Sequence, residues 1–268
     1  MNYYTKQKEY SDISILYKNS PKDDSITMQN VIDRNKNKNN NITEGFKFAN
    51  GDKLSFEDIK KLSLIGSDSS ENIVGYVHAN NIIKGGGGDD KLYGQGWDDT
   101  IYGGDGNDLI ESGSGNDTLI EGEGNDTLIG VAKDDTYIFN KGDGNDIIED
   151  VGGVDTLKFG EGIFKEDVIV SISKNPKNYG YSDMTIQFKN SSTDSITLKN
   201  VIKDRSTNYD YVVNDFEFFN GDKLTFNGIK RLYLIGTDNN DKLYGYNDMD
   251  SVIKGNKGDD TLNGGGSE

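Results

Sequence analysis

Aspartate recurs every nine residues in the middle of the 268-residue chain. The recurring residues are Asp90, Asp99, Asp108, Asp117, Asp126 and Asp135. The first five follow a glycine-rich stretch that would place backbone carbonyls near the carboxylate, as in SGSGNDTLI at residues 112–120. Such oxygens are the ligands of hard cations, and Ca²⁺ takes six to eight of them. One short loop cannot supply that number, so several loops would have to share each ion.

A fixed nine-residue period predicts a solenoid, because each unit buries its apolar side only by stacking on its neighbours. The second half of each repeat is predicted to be a short strand whose apolar residue, two positions after the aspartate, points inward. These inward residues are Leu92, Ile101, Ile110, Leu119 and Leu128. The loops of glycine and aspartate would then line the two outer edges.

The five blocks from residue 85 to residue 129 resemble the GGxGxDxUx nonapeptide of the RTX (repeats-in-toxin) family, the haemolysin-type calcium-binding repeats. They read GGGGDDKLY, GQGWDDTIY, GGDGNDLIE, SGSGNDTLI and EGEGNDTLI. The resemblance implies an all-β fold, a right-handed parallel β-roll with β-rich flanking blocks. In such a roll two nonapeptides make one turn. Stacked loops would align Asp90, Asp108 and Asp126 on one edge, and Asp99, Asp117 and Asp135 on the other.

The same resemblance implies that several Ca²⁺ ions are bound between the stacked loops by aspartate side chains and loop carbonyls. The metal ligands that it implies are the six aspartates and the carbonyls of glycines at the second and fourth loop positions. These glycines are Gly86, Gly88, Gly104, Gly106, Gly113, Gly115, Gly122 and Gly124. Glycine permits the positive-φ turn that aims carbonyl oxygens toward an ion.

Two loops depart from the pattern. Trp97 replaces the fourth-position glycine of its loop, which predicts disturbed geometry around Asp99. The block GVAKDDTYI at residues 130–138 keeps Asp135 but lacks the later glycines, which predicts a fading end of the metal ladder.

Degenerate repeats border the regular ones on both sides. After residue 138 the register slips by two residues and resumes in KGDGNDIIE with Asp146, followed by Asp155, in a segment that resembles the block closing an RTX roll. Before residue 85, the coils 66–74 and 75–83 carry Glu71 and Asn80 at the aspartate position. These two coils are expected to be packed and free of metal.

The chain has 46 acidic and 29 basic residues, a formal net charge of −17. This charge argues against a nucleic-acid partner, because phosphate binding requires clustered lysine and arginine. The acids of the flanking segments could simply serve solubility, but those of the repeats recur at one position in nine. Hydrophobic residues make up 32% of the chain, too few for the repeats to offset chain entropy without counter-ions. Calcium is therefore expected to be a folding partner.

The sequence contains no cysteine, no apolar run near the roughly 20 residues of a membrane span, and no recognisable leading signal peptide. The RTX resemblance implies export by a type I secretion apparatus, and hence a secreted, extracellular or bacterial cell-surface location. The uncleaved C-terminal signal used by that apparatus is not visible, so the chain is expected to be a fragment of a larger secreted protein. The host cell surface is a candidate partner of that parent protein.

A second, longer periodicity relates two parts of the chain at a constant offset. SITMQNVI at 25–32 returns as SITLKNVI at 195–202, and NIIKGGGGDDKLYG at 81–94 as SVIKGNKGDDTLNG at 251–264. The predicted organisation is a flanking block (1–65), the β-roll (66–158), a second flanking block (159–235) and the start of a second roll (236–268). A parent protein built of tandem copies is expected.

The flanking blocks are predicted to be β-rich caps that cover the ends of the roll and nucleate folding; a ligand-binding site in them is the less favoured alternative. Asn50-Gly51-Asp52 and Asn220-Gly221-Asp222 are strong hairpin signals. A short helical turn is predicted from Glu57 to Lys61, with Ser55 as its N-cap.

The chain is not expected to be an enzyme, because it lacks GxSxG, HExxH and a cysteine nucleophile. A packing or solvent-facing role is favoured for the one histidine, His78. Paired carboxylates such as Asp89 and Asp90 could serve glycosidase chemistry, but their fixed recurrence favours ligation. Trp97, with Tyr93 and Tyr102, could form a sugar platform, although stacking between coils is the more ordinary interpretation.

Two classes of parent protein follow from these expectations. The first is a toxin-like or repetitive surface protein whose RTX region folds on calcium binding after type I secretion. The alternatives are the stalk of an RTX adhesin or surface-layer protein, or the C-terminal part of a secreted enzyme such as a protease, lipase or epimerase. Toxins would add a pore-forming apolar region, enzymes a catalytic domain, and adhesins many further copies of the duplicated unit.

Overall fold

A computed structural model describes residues 10–16, 25–33, 46–47, 53–55, 64–174, 181–203, 213–236, 239–245 and 252–264. Within these residues the chain is almost entirely β-structure, and its largest part is a parallel β-solenoid. The predicted all-β fold class is confirmed.

The first flanking block contributes two antiparallel strand pairs. Strand β1 (Tyr10–Leu16) pairs with β2 (Ser25–Asp33), and β3 (Phe46–Lys47) pairs with β4 (Lys53–Leu54). The second pair brackets Asn50-Gly51-Asp52, so the predicted pairing across this turn is confirmed. The helical turn predicted from Glu57 to Lys61 lies outside the described residues.

Strands of the solenoid alternate between two sheets. They are β5 (Asn72–Val74), β6 (Ile82–Gly87), β7 (Lys91–Gly96), β8 (Thr100–Asp105), β9 (Leu109–Ser114), β10 (Thr118–Glu123), β11 (Thr127–Ala132), β12 (Thr136–Phe139), β13 (Asn145–Glu149) and β14 (Asp155–Phe159). Even-numbered strands stack in parallel in one sheet, and the odd-numbered strands β5 to β13 do so in the other. Ile83 pairs with Ile101, and Ile101 with Leu119. Two nonapeptides therefore make one turn, as the resemblance implied.

The space between the two sheets is filled by one apolar residue from each strand. The predicted inward residues Leu92, Ile101, Ile110, Leu119 and Leu128 are all fully buried. Their positions are confirmed. The column continues through Tyr137, Ile148 and Leu157, which are likewise buried. Side chains alternate between the two faces of a strand, so each repeat contributes only a narrow apolar strip.

The second flanking block extends both sheets of the solenoid. It comprises a 3₁₀ turn (Lys165–Asp167), β15 (Val168–Lys174), β16 (Tyr181–Phe188), β17 (Ser195–Lys203), β18 (Val213–Glu217), β19 (Lys223–Thr225) and helix α1 (Phe226–Leu232). Strand β17 pairs in parallel with β13, and β18 with β14. Phe139 stacks on Phe188 and Phe159 on Phe218, with ring centroids 5.4 and 4.9 Å apart. An aromatic core therefore joins this block to the last turns of the solenoid, while the predicted domain boundaries stay predictions.

The second copy of the duplicated unit repeats the local structure of the first. Strands β18 and β19 form the hairpin predicted around Gly221, whose φ is 85°. Thr225, the counterpart of Ser55 in the first copy, caps α1 by accepting a hydrogen bond from Gly228 N. The parallel bridge between Ile65 and Lys84 recurs between Ile235 and Lys254. Strands β20 (Lys242–Tyr244) and β21 (Thr261–Asn263) then pair in parallel, as β5 pairs with β7.

Candidate metal centre

The structure brings the six predicted aspartates together in two rows, one at each edge of the solenoid. In each row one carboxylate oxygen accepts a hydrogen bond from the backbone N–H of the aspartate one turn earlier. The bonds run from Asp90 N to Asp108 Oδ1 (2.8 Å), Asp108 N to Asp126 Oδ1 (2.6 Å), Asp99 N to Asp117 Oδ1 (2.7 Å) and Asp117 N to Asp135 Oδ1 (2.9 Å). All six side chains are buried. Each carboxylate therefore ties two turns together through one of its oxygens.

The second oxygen of these carboxylates is buried without a donor. Within the described part of the chain, nothing donates to Oδ2 of Asp90, Asp99, Asp108, Asp117, Asp126, Asp135, Asp146 or Asp155. Buried polar atoms in folded proteins almost always have a partner, and a buried charge without one is costly. A column of such oxygens along each edge requires either protons or cations.

Burial raises the pKa of these carboxyl groups. It raises the pKa of Asp108 to about 6, although the hydrogen bond from Asp90 N opposes the shift. The pKa of Asp126 rises to about 7 and that of Asp135 to about 8, again mainly because burial disfavours the charged form. Without a counter-ion, several of these carboxyl groups would therefore be partly protonated near neutral pH.

At Asp90, Asp99 and Asp108 the free Oδ2 lies beside the first glycine of its own loop and a backbone carbonyl of the next turn. A Cβ added at Gly103 would collide with Oδ2 of Asp108 and with the carbonyl oxygen of Glu121. A Cβ at Gly94 would meet the corresponding pair, Oδ2 of Asp99 and the carbonyl of Ser112. Glycine at the first position therefore leaves open a small cradle bordered by two oxygen acceptors.

An asparagine at the start of the roll shows what this cradle requires. Asn81 occupies the aspartate position, since its N–H donates to Asp99 Oδ1 at 2.6 Å. Its Nδ2 donates to the carbonyl of Gly94 at 3.1 Å, and a Cβ at Gly75 would meet both atoms. Asparagine supplies a hydrogen-bond donor at this position, whereas the aspartates place an oxygen without a donor beside the equivalent carbonyl of their own turn. A proton or a cation must replace the missing donor, and the all-oxygen surroundings suit Ca²⁺.

The placement of Asn81 corrects the prediction that Asn80 fills this position. Asn80 is exposed, whereas Asn81 is 3% exposed. Ile83 pairs with Ile101, and the separation of these two residues is two nonapeptides. Ile73 pairs with Leu92, and this separation is one residue longer. One extra residue in this first turn therefore shifts the coil by one position relative to a strict count of nine.

Both carboxylate oxygens of Glu71 accept a hydrogen bond from Ser67. Its Oε2 accepts from Ser67 N at 2.9 Å and its Oε1 from Ser67 Oγ at 2.6 Å. These hydrogen bonds lower the pKa of the Glu71 carboxyl. The first coil thus supplies hydrogen-bond donors to its own acid, and its expected lack of metal stays a prediction.

The eight glycines predicted to supply carbonyl ligands all have positive φ angles, between 89° and 152°. The expected disturbance at Trp97 does not occur in the backbone, because Gln95 and Trp97 adopt φ values of 87° and 74°. Val131 and Lys133 likewise take 85° and 84° in the loop that lacks glycines. The backbone strain of these residues is held by the stacked turns above and below. The loop of Asp135 therefore keeps the shape of the regular loops.

The predicted glycine carbonyls and the free carboxylate oxygens lie at different places in the loop. The carbonyl oxygen of Gly86 packs against Gly104, and that of Gly88 against Gly106, one turn later. The carbonyls beside the free oxygens belong instead to first-position residues such as Ser112 and Glu121. The glycine that opens most blocks is the sequence signal that could have identified these carbonyls. The metal assignment of all these residues stays a prediction.

Two further aspartates continue the two rows, and one glutamate is buried near them. Asp146 Oδ1 accepts from Asp126 N and Asp155 Oδ1 from Asp135 N, at 2.8 and 2.9 Å. The two-residue slip seen in the sequence is thus absorbed without interrupting either row. Glu121 is 1% exposed and its Oε1 is unpartnered within the described ranges. Burial, and then its acidic neighbours, raise the pKa of the Glu121 carboxyl well above its usual value.

The residues considered for catalysis lie in different surroundings, and the expectation that the chain is not an enzyme stays a prediction. Asp89 and Asp90 point to different environments, since Asp89 is exposed and accepts from Asn107 N, while Asp90 is buried. His78 is exposed, and Trp97 is 60% exposed on its loop. No helix in the part of the chain that the structure describes is long and apolar enough to cross a membrane.

Comparison with known proteins gives one family. A family model described as the RTX calcium-binding nonapeptide repeat matches in four copies, at residues 79–96, 85–119, 121–136 and 247–267. No curated protein matches the chain. The first three matches cover the six aspartates from Asp90 to Asp135, and the fourth lies in the second copy of the duplicated unit. Residues 79–119 and 121–136 of the solenoid therefore match RTX calcium-binding nonapeptide repeats.

Proposed function

We propose that this region folds when it binds Ca²⁺ and serves as a calcium-dependent folding unit of a larger exported protein. The observation that supports the proposal is the pairing of acceptors along both edges. Oδ2 of Asp108 lies beside the carbonyl of Glu121. At the equivalent position of the first turn, Nδ2 of Asn81 donates a hydrogen bond to the carbonyl of Gly94. The fold thus buries oxygens whose charge it does not itself neutralise.

The side chains divide this work between their two oxygens. Oδ1 of each aspartate holds the backbone of the preceding turn, and Oδ2 and the first-position carbonyls are free to bind an ion. Bound Ca²⁺ supplies the positive charge that these buried oxygens lack. Because the oxygens come from successive turns, the site exists only when the turns are stacked. Binding free energy therefore becomes folding free energy.

The test is a chelator titration of the full chain. We expect removal of calcium to abolish the far-ultraviolet circular dichroism signal of the roll, to enlarge the hydrodynamic radius, and to remove hydrogen-exchange protection from β7 to β11. Magnesium at equal concentration is the control, because it separates general charge screening from a site with more than six oxygens. Equal compactness and equal protection with and without chelator would contradict the proposal.

Export is the second part of the proposal. We infer a secreted or cell-surface location reached through a type I secretion apparatus, where millimolar calcium would trigger folding. The absence of cysteine and the net charge of −17 fit a protein stabilised by metal instead of disulfides. Expression of the parent protein with and without such an exporter tests this directly. Appearance in the medium without the exporter would contradict it.

The role proposed for the parent protein is that of a toxin-like or repetitive surface protein, with no catalytic activity in this region. The duplicated unit supports a repetitive architecture, because the bridges at Ile65 and Ile235 begin two solenoid segments in the same register. An adhesin or surface-layer stalk is the alternative that this duplication also favours. The coding sequence on either side decides between them, since a stalk requires further copies and a toxin or enzyme requires an added active domain.

A further inference from the structure

Three buried carboxylates converge where the solenoid meets the second flanking block. One oxygen from each of Asp135, Asp150 and Asp155 lies within 4.8 Å of the other two. Asp135 precedes β12, Asp150 follows β13, and Asp155 begins β14, so three chain segments contribute one acid each. Their side chains are 1%, 5% and 0% exposed. Three negative charges cannot share so small a buried space without a cation or bound protons.

The hydrogen-bond partners found for these three carboxylates carry no positive charge. Oδ2 of Asp135 and Oδ2 of Asp155 have no hydrogen-bond partner within the described ranges. Asp150 is held in place, since its Oδ2 accepts from the Tyr137 hydroxyl and its Oδ1 from Val151 N, both at 2.6 Å. The ion pairs found among the described residues all lie elsewhere. The cluster is therefore ordered but not neutralised by the protein.

Gly130 shows that this cluster replaces the ordinary loop cradle. A Cβ at Gly130 would collide with Asp135 Oδ2 and the Tyr137 hydroxyl, and would lie 3.0 Å from Asp150 Oδ2. In the regular loops the corresponding place is bordered by the first-position carbonyl of the next turn. Here Asp150, which follows Gly130 by one turn of the solenoid, directs its side chain into that place. A carboxylate thus stands where the other turns present a carbonyl.

We infer that Asp135, Asp150 and Asp155 form an additional calcium site, distinct from the loop sites because side-chain carboxylates replace the loop carbonyls. The inference rests on the proposed calcium-binding function and adds Asp150, which the repeat pattern does not assign. The set contains only oxygen, which suits Ca²⁺ rather than softer metals, and carboxylates that bind through two oxygens serve its high coordination number. Tyr137 is a positioning residue that orients Asp150.

The location gives this site a defined role at the end of the roll. Asp135 belongs to the loop in which Val131 and Lys133 are held at positive φ, and Asp155 opens the strand that pairs with β18 of the flanking block. An ion bound by all three acids joins the strained loop to the strand on which the block is built. The site therefore fastens the solenoid to its cap.

The experiment counts bound calcium in the full chain and locates its effect. Asp150→Asn is compared with wild type and with Glu149→Gln, which removes an exposed charge from the neighbouring residue. Calcium is titrated against a chromophoric chelator, and hydrogen exchange is followed separately in β7 to β10 and in β13 to β14. We expect Asp150→Asn to lose one ion, or to bind it at least about tenfold more weakly, and to lose calcium-dependent protection in β13 and β14 alone. Glu149→Gln should match wild type.

The outcomes separate this site from the loop sites. If Asp150→Asn binds the same number of ions with the same affinities and protection, the three acids share protons and the inference is wrong, while the loop sites stand. If wild type binds no calcium, the proposed function fails and the inference fails with it. Loss of protection in β7 to β10 as well as in β13 and β14 would also overturn it, because a separate site should act locally.

A second variant covers the case in which Asp150→Asn does not fold. Tyr137→Phe keeps all three carboxylates and removes only the hydroxyl that orients Asp150. Terbium alone is the probe, excited through tyrosine, because sensitised emission requires a tyrosine close to the bound ion. We expect Tyr137→Phe to lose the part of the emission that comes from this site and to weaken its calcium affinity several-fold. Emission and affinity equal to those of wild type would overturn the inference.

Discussion

Replacing Asp108 by asparagine should change stability in opposite directions with and without calcium. The replacement keeps Oδ1, which accepts from Asp90 N at 2.8 Å, and changes only the oxygen that has no donor. The new Nδ2 would lie beside the Glu121 carbonyl, in the relation that Asn81 Nδ2 has to the Gly94 carbonyl at 3.1 Å. A repulsive pair of acceptors would become a hydrogen bond.

The size of the calcium-free effect follows from the raised pKa of Asp108. Burial raises that pKa from 3.8 to about 6, and each tenfold change in a proton equilibrium is about 1.4 kcal/mol. Without solvent screening the ionised carboxylate would cost the calcium-free fold about 3 kcal/mol at neutral pH, and partial solvation of the group reduces this to roughly 1–2 kcal/mol. Asp108→Asn should recover most of that amount. With calcium the same change removes a charged ligand, and we expect at least about a tenfold higher calcium midpoint for folding.

The assay is urea unfolding at fixed free calcium, followed by far-ultraviolet circular dichroism. An osmolyte such as trimethylamine N-oxide is added at the lowest calcium concentrations, because it raises the folded population without binding the site. Asp105→Asn is the matched control, since Asp105 lies in the same loop but its side chain is exposed. Asp105→Asn should change the free energy of unfolding by no more than about 0.5 kcal/mol, either with or without calcium. Equal losses from both variants would mean diffuse charge neutralisation, and the reasoning from a specific site would be wrong.

Further predictions concern pH, the cradle and the first turn. The pKa of Asp126 in the folded chain rises to about 7 and that of Asp135 to about 8. The calcium-free fold should therefore be most stable below about pH 4 and lose stability up to about pH 8, which thermal melts with chelator test. Calcium affinity should rise over the same pH range, which calcium titrations test. Gly103→Ala should abolish calcium binding at its loop because a Cβ would fill the cradle, whereas Gly87→Ala should be tolerated because its nearest contact would be 3.4 Å away, and ion counts compare the two. Asn81→Asp should destabilise the calcium-free chain and add one bound ion, and an unchanged count would contradict this account of the cradle.

The sequence was sufficient to predict the fold because the nine-residue period sets both the apolar column and the two aspartate rows. Leu92, Ile101 and the other inward residues follow from strand alternation alone. The prediction failed at Asn80, because one extra residue in the first turn moves Asn81 into the aspartate position. That prediction counted nine residues forward from Glu71, whereas a count of nine backward from Asp90 leads to Asn81.

Other features depended on contacts between turns that no local pattern reveals. Trp97 and Val131 adopt positive φ because the loops on either side impose it, although neither residue favours that conformation. Glu121 and Asp150 stand at first positions of their turns, where most blocks have glycine. Whether such a side chain turns inward or outward depends on the space left by the neighbouring turn, which only the structure provides.

The chemistry of the aspartate position changes along the roll, and with it the need for calcium. In the first turns Glu71 accepts hydrogen bonds from Ser67, and Asn81 supplies its own donor, so these coils are satisfied by protein atoms alone. In the last turns Asp135 meets Asp150, and its pKa rises to about 8. Side chains of the first coils thus have donors from the protein, whereas the carboxylates at the end of the solenoid crowd together. We therefore expect dependence on the ion to increase toward the junction with the second flanking block, where the strands of the cap must pair.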